Sequence, residues 1–239
     1  SGHPDQGSAA AGLYYDENQK NQGRPFGETH AFNAGGWKMR AVVQRCNWCR
    51  VDSEGKEVSS IGKGLSVLLG VKKGDTEKDA GYIADKIKDF LEENGVKRAI
   101  INLGGNVLCI GKKTNTDNFG IGVRKPFAAN NEVLVALSVD DSSVVSSGNY
   151  ERYFYADDGT FYHHILNPAT GYSYDNDLSD VTILSKDSLT GDCLSTTCFC
   201  LGLDDGMKLI ESLDGIEAIF VTNEGEIHYS SGAKAYVKS

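Results

Sequence analysis

Residues 74 to 95, GDTEKDAGYIADKIKDFLEENG, constrain the fold of this chain more than any other stretch. Ala80, Ile83, Ala84, Ile87 and Leu91 recur every three or four residues, so on a helix they share one apolar face, with charged side chains opposite. Asp75 or Thr76 is placed to cap the exposed amides at the start. Gly95 ends the helix, because a left-handed residue at that point costs glycine least. The runs KRAIINL and NVLCIGKK follow, on either side of Gly104-Gly105, a pair that suits a two-residue hairpin turn needing positive φ. Downstream, the strand-like runs FGIGVRK, EVLVALSV, DVTILS, EAIFVT and EIHYSS are interleaved with helical stretches near 191–201 and 204–213. Upstream, MRAVVQR and GLSVLLGV read as strands and GKEV as a turn. The pattern is that of an α+β fold.

Residues 1–38, rich in Gly, Asn, Gln and Ser, lack apolar periodicity and are expected to hold no packed structure, as a leader ahead of the folded part. They also lack the charged start and apolar core of a signal peptide, and nowhere does an apolar run approach the roughly 18 residues of a membrane span. The 239 residues are 40% hydrophobic, enough to fill a core, and carry a formal net charge of -9. That charge argues against nucleic acid as a partner, since such binding rests on Lys and Arg neutralising phosphates. It favours a neutral or metal-bridged ligand. Of the six cysteines, only Cys46 and Cys49 have a spacing that can hold a metal or a redox pair. No second Cys or His pair accompanies them at zinc spacing, so they read as reduced thiols.

Four motifs carry candidate chemistry. In GDCLSTT, Asp192 and Thr196 are four residues apart, which puts a carboxylate and a hydroxyl on one helix face. Two hard oxygens so placed can share a magnesium ion; the bland alternative is that Asp192 caps the helix and Thr196 bonds back to the backbone. In YHHILNPATG, His164 can accept a proton or position a phosphate, or can be a structural histidine. Strand alternation then turns His163 toward solvent. In SSGNYERYF, Gly148 beside Ser147 permits close approach of the backbone to a ligand, while Arg152 can contact phosphate or pair with a glutamate. Tyr150 and Tyr153 read as core more readily than as surfaces on which a ligand stacks. NLGGN lacks the spacing of a phosphate loop and is explained by its turn.

Taken in order, INLGGNVLCIG, SSGNYERYF, YHHILNPATGY and GDCLSTTCFCLG resemble the C-terminal part of the FAD:protein FMN transferases, the ApbE family, over residues 82–231. The resemblance implies an ApbE-like, T-fold-related mixed or antiparallel sheet with helices, incomplete on its N-terminal side. It implies a magnesium-dependent transfer in which FMN passes from FAD to a threonine hydroxyl of a target flavoprotein, a subunit of an electron-transport complex, and AMP leaves. The site residues it implies are His164 in catalysis, Asp192, Ser195 and Thr196 at the metal, and Gly104, Gly105, Ser147, Gly148, Tyr150, Arg152, Ile165 and Asn167 around the cofactor. Asn167 stands where the family more often has Asp.

Residues 39–80 resemble instead the opening of the D-aminoacyl-tRNA deacylases, without that family's catalytic motifs. The sequence therefore reads as a join within the 74–95 helix, with a transferase domain over 81–239. In the transferases, sequence before Gly81 supplies much of the FAD pocket, so two further functions stay open. One is a flavin- or nucleotide-binding protein without catalysis, the other a deacylase fragment.

Overall fold

The computed structural model describes residues 12–15, 29–33, 40–46, 49–53, 56–61, 64–70, 77–128 and 132–238. Its elements run β1 (Gly12–Tyr15), β2 (Thr29–Asn33), β3 (Arg40–Cys46), β4 (Cys49–Ser53), β5 (Lys56–Ile61), β6 (Gly64–Gly70) and α1 (Glu77–Glu93). They continue with β7 (Ala99–Leu103), β8 (Asn106–Ile110), β9 (Phe119–Arg124), β10 (Val133–Val139), β11 (Ser143–Gly148), β12 (Tyr153–Tyr155) and β13 (Phe161–His163). Last come β14 (Leu178–Ser185), α2 (Ser188–Glu211), whose two helical stretches are broken at Gly202 (φ 79°) as the sequence suggested, β15 (Glu217–Thr222) and β16 (Ile227–Tyr229).

The α+β expectation holds. Seven strands form one antiparallel sheet in the order β1-β7-β8-β11-β14-β15-β16. β14 is buried along its whole length, as a central strand covered on both faces must be. Alternation along the strands divides the core in two. Ala99, Ile101, Leu103, Leu108 and Ile110 pack under α1, and Val181, Ile183, Ala218 and Phe220 pack under α2 with Cys198, Phe199 and Ile210. Val144, Leu184 and Ile219 point the other way, against Phe119, Val123, Val135, Leu137 and Val139 of the β9–β10 hairpin. The order across the fold is helices, sheet, hairpin.

The apolar face read from the sequence is the one α1 buries: Ala80, Ile83, Ala84, Ile87 and Leu91 are all in the core. At its end Gly95 has φ 82° and donates its amide to the Glu92 carbonyl, while Val96 donates to Leu91. That is the Schellman pattern, and Leu91 and Val96 are both buried beside it. The cap assigned to Asp75 or Thr76 lies outside the described residues. Gly104 and Gly105, at φ 72° and 99°, turn β7 into β8 as expected of the pair.

Three features differ from the expectations. Gly12–Tyr15 pairs with β7, and Thr29–Asn33 pairs with β3, within a segment expected to hold no packed structure. The unpaired edge of β7 explains the first, since open backbone groups there recruit a strand whatever its side chains; the rest of residues 1–38 lies outside the described residues. β5 begins at Lys56, inside the stretch read as a turn. β11, composed of Ser-Val-Val-Ser-Ser-Gly, lies between β8 and β14 although its composition gave no strand signal. The side chains of Cys46 and Cys49 are outside the described residues.

Candidate functional site

β11 and α2 build the site together. α2 begins against the carboxylates of two elements: Asp187 accepts the Thr190 amide at 2.7 Å, and Asp85 of α1 accepts those of Ser188 and Leu189 at 2.8 and 3.0 Å. Three of the amides left open at a helix start are thereby satisfied. Asp192 is therefore not the cap; it sits one turn further in, buried at 4% exposure. Gly191 lets this turn lie directly on the sheet, because a Cβ there would come within 2.9 Å of Val145 Cγ2 and 3.0 Å of Ser185 Oγ.

That close approach brings four of the expected residues together. Ser147 Oγ shares hydrogen bonds with Ser195 Oγ at 2.8 Å and Thr196 Oγ1 at 3.1 Å, and Ser195 donates back to the Asp192 carbonyl at 3.1 Å. Thr197 likewise bonds back to its own helix, through the Cys193 carbonyl, whereas Thr196 keeps its hydroxyl toward β11. The three hydroxyls meet one another, and the buried Asp192 carboxylate belongs to the helical turn before Thr196; all are hard oxygen donors, the type that suits magnesium. Among the described residues no group of three or more His, Cys, Asp or Glu side chains could hold a metal ion. A cation at Asp192 would complete its shell from hydroxyls, ligand oxygens and water.

His164, Ile165 and Asn167 lie on the loop after β13. Ile165 is buried against the α2 core. Asn167 Oδ1 accepts the Ala169 amide at 2.9 Å and its carbonyl accepts those of Thr170 and Gly171, so asparagine sustains the turn. The amide of His164 donates to the Arg152 carbonyl at 3.1 Å, and its ring Nδ1 is buried with no hydrogen-bond partner among the described residues.

The expectation for His163 is overturned. It is buried at 5% exposure, its Nε2 lies 2.8 Å from the Tyr174 carbonyl, and its ring stands edge-on to Phe199. Burial lowers its pKa. Alternation misled because β13 ends at His163, so the rule does not carry across to His164 in the loop.

Tyr150 is buried, as read, and Tyr153 is exposed. The Tyr150 ring lies over Gly148, where a Cβ would sit 2.3 Å from Tyr150 Cε1. The Tyr150 hydroxyl donates to Asp180 at 3.1 Å, Thr182 donates to the other carboxylate oxygen at 2.8 Å, and Ser146 meets Thr182 at 2.7 Å. Ser146 and Ser147 are successive residues of one strand, so this network occupies the sheet face away from α2. Full burial raises the Asp180 carboxyl to about 7 and pushes the Tyr150 phenol up. Sequence reading missed Asp180; its signal was a charged residue heading the apolar run DVTILS. Glu151 pairs with Arg124 at 3.4 Å, Arg152 is exposed, and the Gly104-Gly105 turn is exposed.

The ApbE family profile matches residues 79–220, a span that contains all but the first two residues of α1, the whole of α2, the central strands and the hydroxyl cluster. The chain belongs to the ApbE family. The FAD:protein FMN transferase of Klebsiella pneumoniae (strain 342) is 46% identical over 151 residues, covering 63% of this chain and 46% of that protein. The one from Treponema pallidum is 34% identical over 160 residues, covering 64% and 44%. Among solved structures, the ApbE protein of Thermotoga maritima superposes with a TM-score of 0.60 at 28% identity, covering 81% of this chain and 60% of that one. The flavin transferase ApbE of Vibrio cholerae gives 0.56 at 26% identity, covering 65% and 50%. The chain thus spans about half the length of the curated relatives it matches. The Thermotoga coverage exceeds what residues 79–239 make up, so part of that ApbE superposition lies upstream of Asp79.

Proposed function

We propose that this chain carries the chemistry of an ApbE flavin transferase: FMN passes from FAD to a threonine hydroxyl of a target flavoprotein, and AMP leaves. The observation that carries this reading is the contact of Ser147 with Ser195 and Thr196 beside buried Asp192, within the span that matches the family. In the reaction the threonine oxygen bonds to the FMN phosphorus, the bond from that phosphorus to the bridging pyrophosphate oxygen breaks, and the AMP phosphate takes that oxygen. Such a step is catalysed by positioning and by neutralising charge on the phosphates.

Each residue then has a task. Asp192, with the hydroxyls of Thr196, Ser195 and Ser147, would hold magnesium, which supplies positive charge to the pyrophosphate when bound. His164 takes the proton of the attacking threonine, a role open to a buried ring nitrogen that has no partner among the described residues. Arg152, exposed on the segment hydrogen-bonded to His164, is placed to meet a phosphate. Gly148, Tyr150, Ile165, Asn167 and the Gly104-Gly105 turn shape the walls around the flavin. The target is a flavoprotein subunit of an electron-transport complex.

The test is calorimetric titration of the full chain with FAD, with and without magnesium, beside an Asp192→Ala variant, followed by an assay for AMP. Magnesium-dependent binding that the variant loses, together with AMP release, is the expected result. Binding that ignores both magnesium and Asp192 would overturn the metal assignment. Binding without AMP release would reduce the chain to a flavin-binding protein.

A further inference from the structure

His163 is bound at both ends of its ring. Nε2 lies 2.8 Å from the Tyr174 carbonyl, which can only accept, so Nε2 carries the proton. Nδ1 receives the Ile165 amide at 3.3 Å, so Nδ1 has to be an unprotonated acceptor. The two contacts admit one form of the ring, the neutral Nε2–H tautomer. The backbone of the same residue is held too: its amide donates to Ser173 Oγ at 2.8 Å and its carbonyl accepts from that hydroxyl at 2.7 Å. Phe161 and Phe199 flank the ring at 5.8 and 5.7 Å between centroids.

These contacts close the loop that carries His164. Tyr174 donates its amide to the Ile165 carbonyl at 3.0 Å, Asn167 donates to Tyr172 at 2.8 Å, and Leu166 bridges to Ser173. Among the described residues, the hydrogen bonds between the start and the end of the 164–174 loop thus lie on His163 or on the short ladder beside it. Ile165, which takes its direction from the His163 ring, is the residue immediately after His164.

We infer that His163 is a positioning residue that sets the orientation of the His164 imidazole by clasping Ile165 and Tyr174 across this loop. The inference rests on the reading of His164 as the proton acceptor, and it adds a residue that touches no reacting atom. An apolar residue of similar size would fill the space between Phe161 and Phe199 but would leave the Ile165 amide and the Tyr174 carbonyl without their partner. An asparagine would keep an acceptor for the amide two residues on, as in an Asx turn, and would lose the reach to Tyr174.

The test compares the full-length wild-type chain with His163→Phe and His163→Asn by long-range 1H–15N spectra of the imidazoles across a pH titration, and by AMP release from FAD. The wild-type spectrum is expected to show His163 as the Nε2–H tautomer. His163→Phe is expected to shift the His164 titration and to lower kcat by about tenfold or more, with KM for FAD held within roughly threefold. His163→Asn recovers part of both. Should His163→Phe fail to fold, Ser173→Ala, which loosens the same loop without touching the ring, is expected to shift the His164 titration in the same direction. A His164 resonance and titration identical in wild type and variants would overturn the inference. A wild-type chain that releases no AMP would defeat the transfer reading alone, and the spectra would still decide the role of His163.

Discussion

The carboxylate of Asp85 accepts the amide of Ser188 at 2.8 Å across 103 residues of sequence, so the second helix starts on a group supplied by the first. The other oxygen takes the Leu189 amide at 3.0 Å. Just beside this contact, a Cβ on Gly81 would meet Leu189 Cα at 3.0 Å, so the two helices touch through backbone. The position of Asp192 and Thr196 against β11 thus depends on α1.

Asp85→Ala is expected to cost about 2–3 kcal/mol, since two capped amides are lost at once and each cap is worth about 1 kcal/mol. In a chain of this length that lowers Tm by roughly 4–12 °C. Asp85→Asn retains one acceptor oxygen and should lose about half as much. Thermal unfolding followed by circular dichroism measures both. An Asp85→Ala chain melting with the wild type would show that the cap does not hold α2.

Gly148→Ala should be among the most damaging single methyl additions in the chain. The new Cβ would lie 2.3 Å from Tyr150 Cε1 and 2.8 Å from the Ser179 carbonyl, and backbone of the buried strand β14 cannot withdraw as a side-chain tip can. Overpacking of this kind costs about 3 kcal/mol or more. Urea unfolding is the measurement, and a loss below about 1 kcal/mol would mean that the ring moves freely.

Asp180 makes stability depend on pH in an unusual direction. Burial holds its carboxyl protonated up to about pH 7, whereas the usual value is 3.8. Between those values the folded chain binds a proton that the unfolded chain has released, so stability falls as pH rises through the window. Asp180→Asn is expected to remove that slope. His163 acts in the opposite sense: burial lowers its pKa below the usual 6.5, so its contribution is lost as pH falls below that value. The two separate cleanly in single variants measured by urea unfolding between about pH 4 and 8. An Asp180→Asn chain with the wild-type slope would place the carboxylate in its charged form.

What the sequence made legible was local. The face of α1, the Gly95 stop and the Gly104-Gly105 turn each follow from spacing within a few residues, and each stands as read. The four-residue interval from Asp192 to Thr196 was readable for the same reason. What escaped depended on distant partners. β11 has a weak strand composition and takes its place from β8 and β14 on either side. The strands at Gly12–Tyr15 and Thr29–Asn33 exist through pairing with β7 and β3. The capping of α2 by Asp85 has no local signature, and the burial of His163 rests on where a three-residue strand stops.

Ser146 and Ser147 give the sharpest comparison, because they are adjacent and face opposite ways. Ser147 meets Ser195 and Thr196 in the proposed magnesium site, whereas Ser146 meets Thr182 in the network around Asp180. Each loses hydroxyl contacts when replaced by alanine, so each should cost about 1 kcal/mol of stability. Only Ser147→Ala removes a donor from the cation's surroundings, and it is expected to weaken magnesium-dependent FAD binding about tenfold. Ser146→Ala should bind as the wild type does. Calorimetric titration with FAD in the presence of magnesium reads the difference directly. Equal affinities for the two variants would remove Ser147 from the cation's surroundings and leave its hydroxyl a packing contact between β11 and α2.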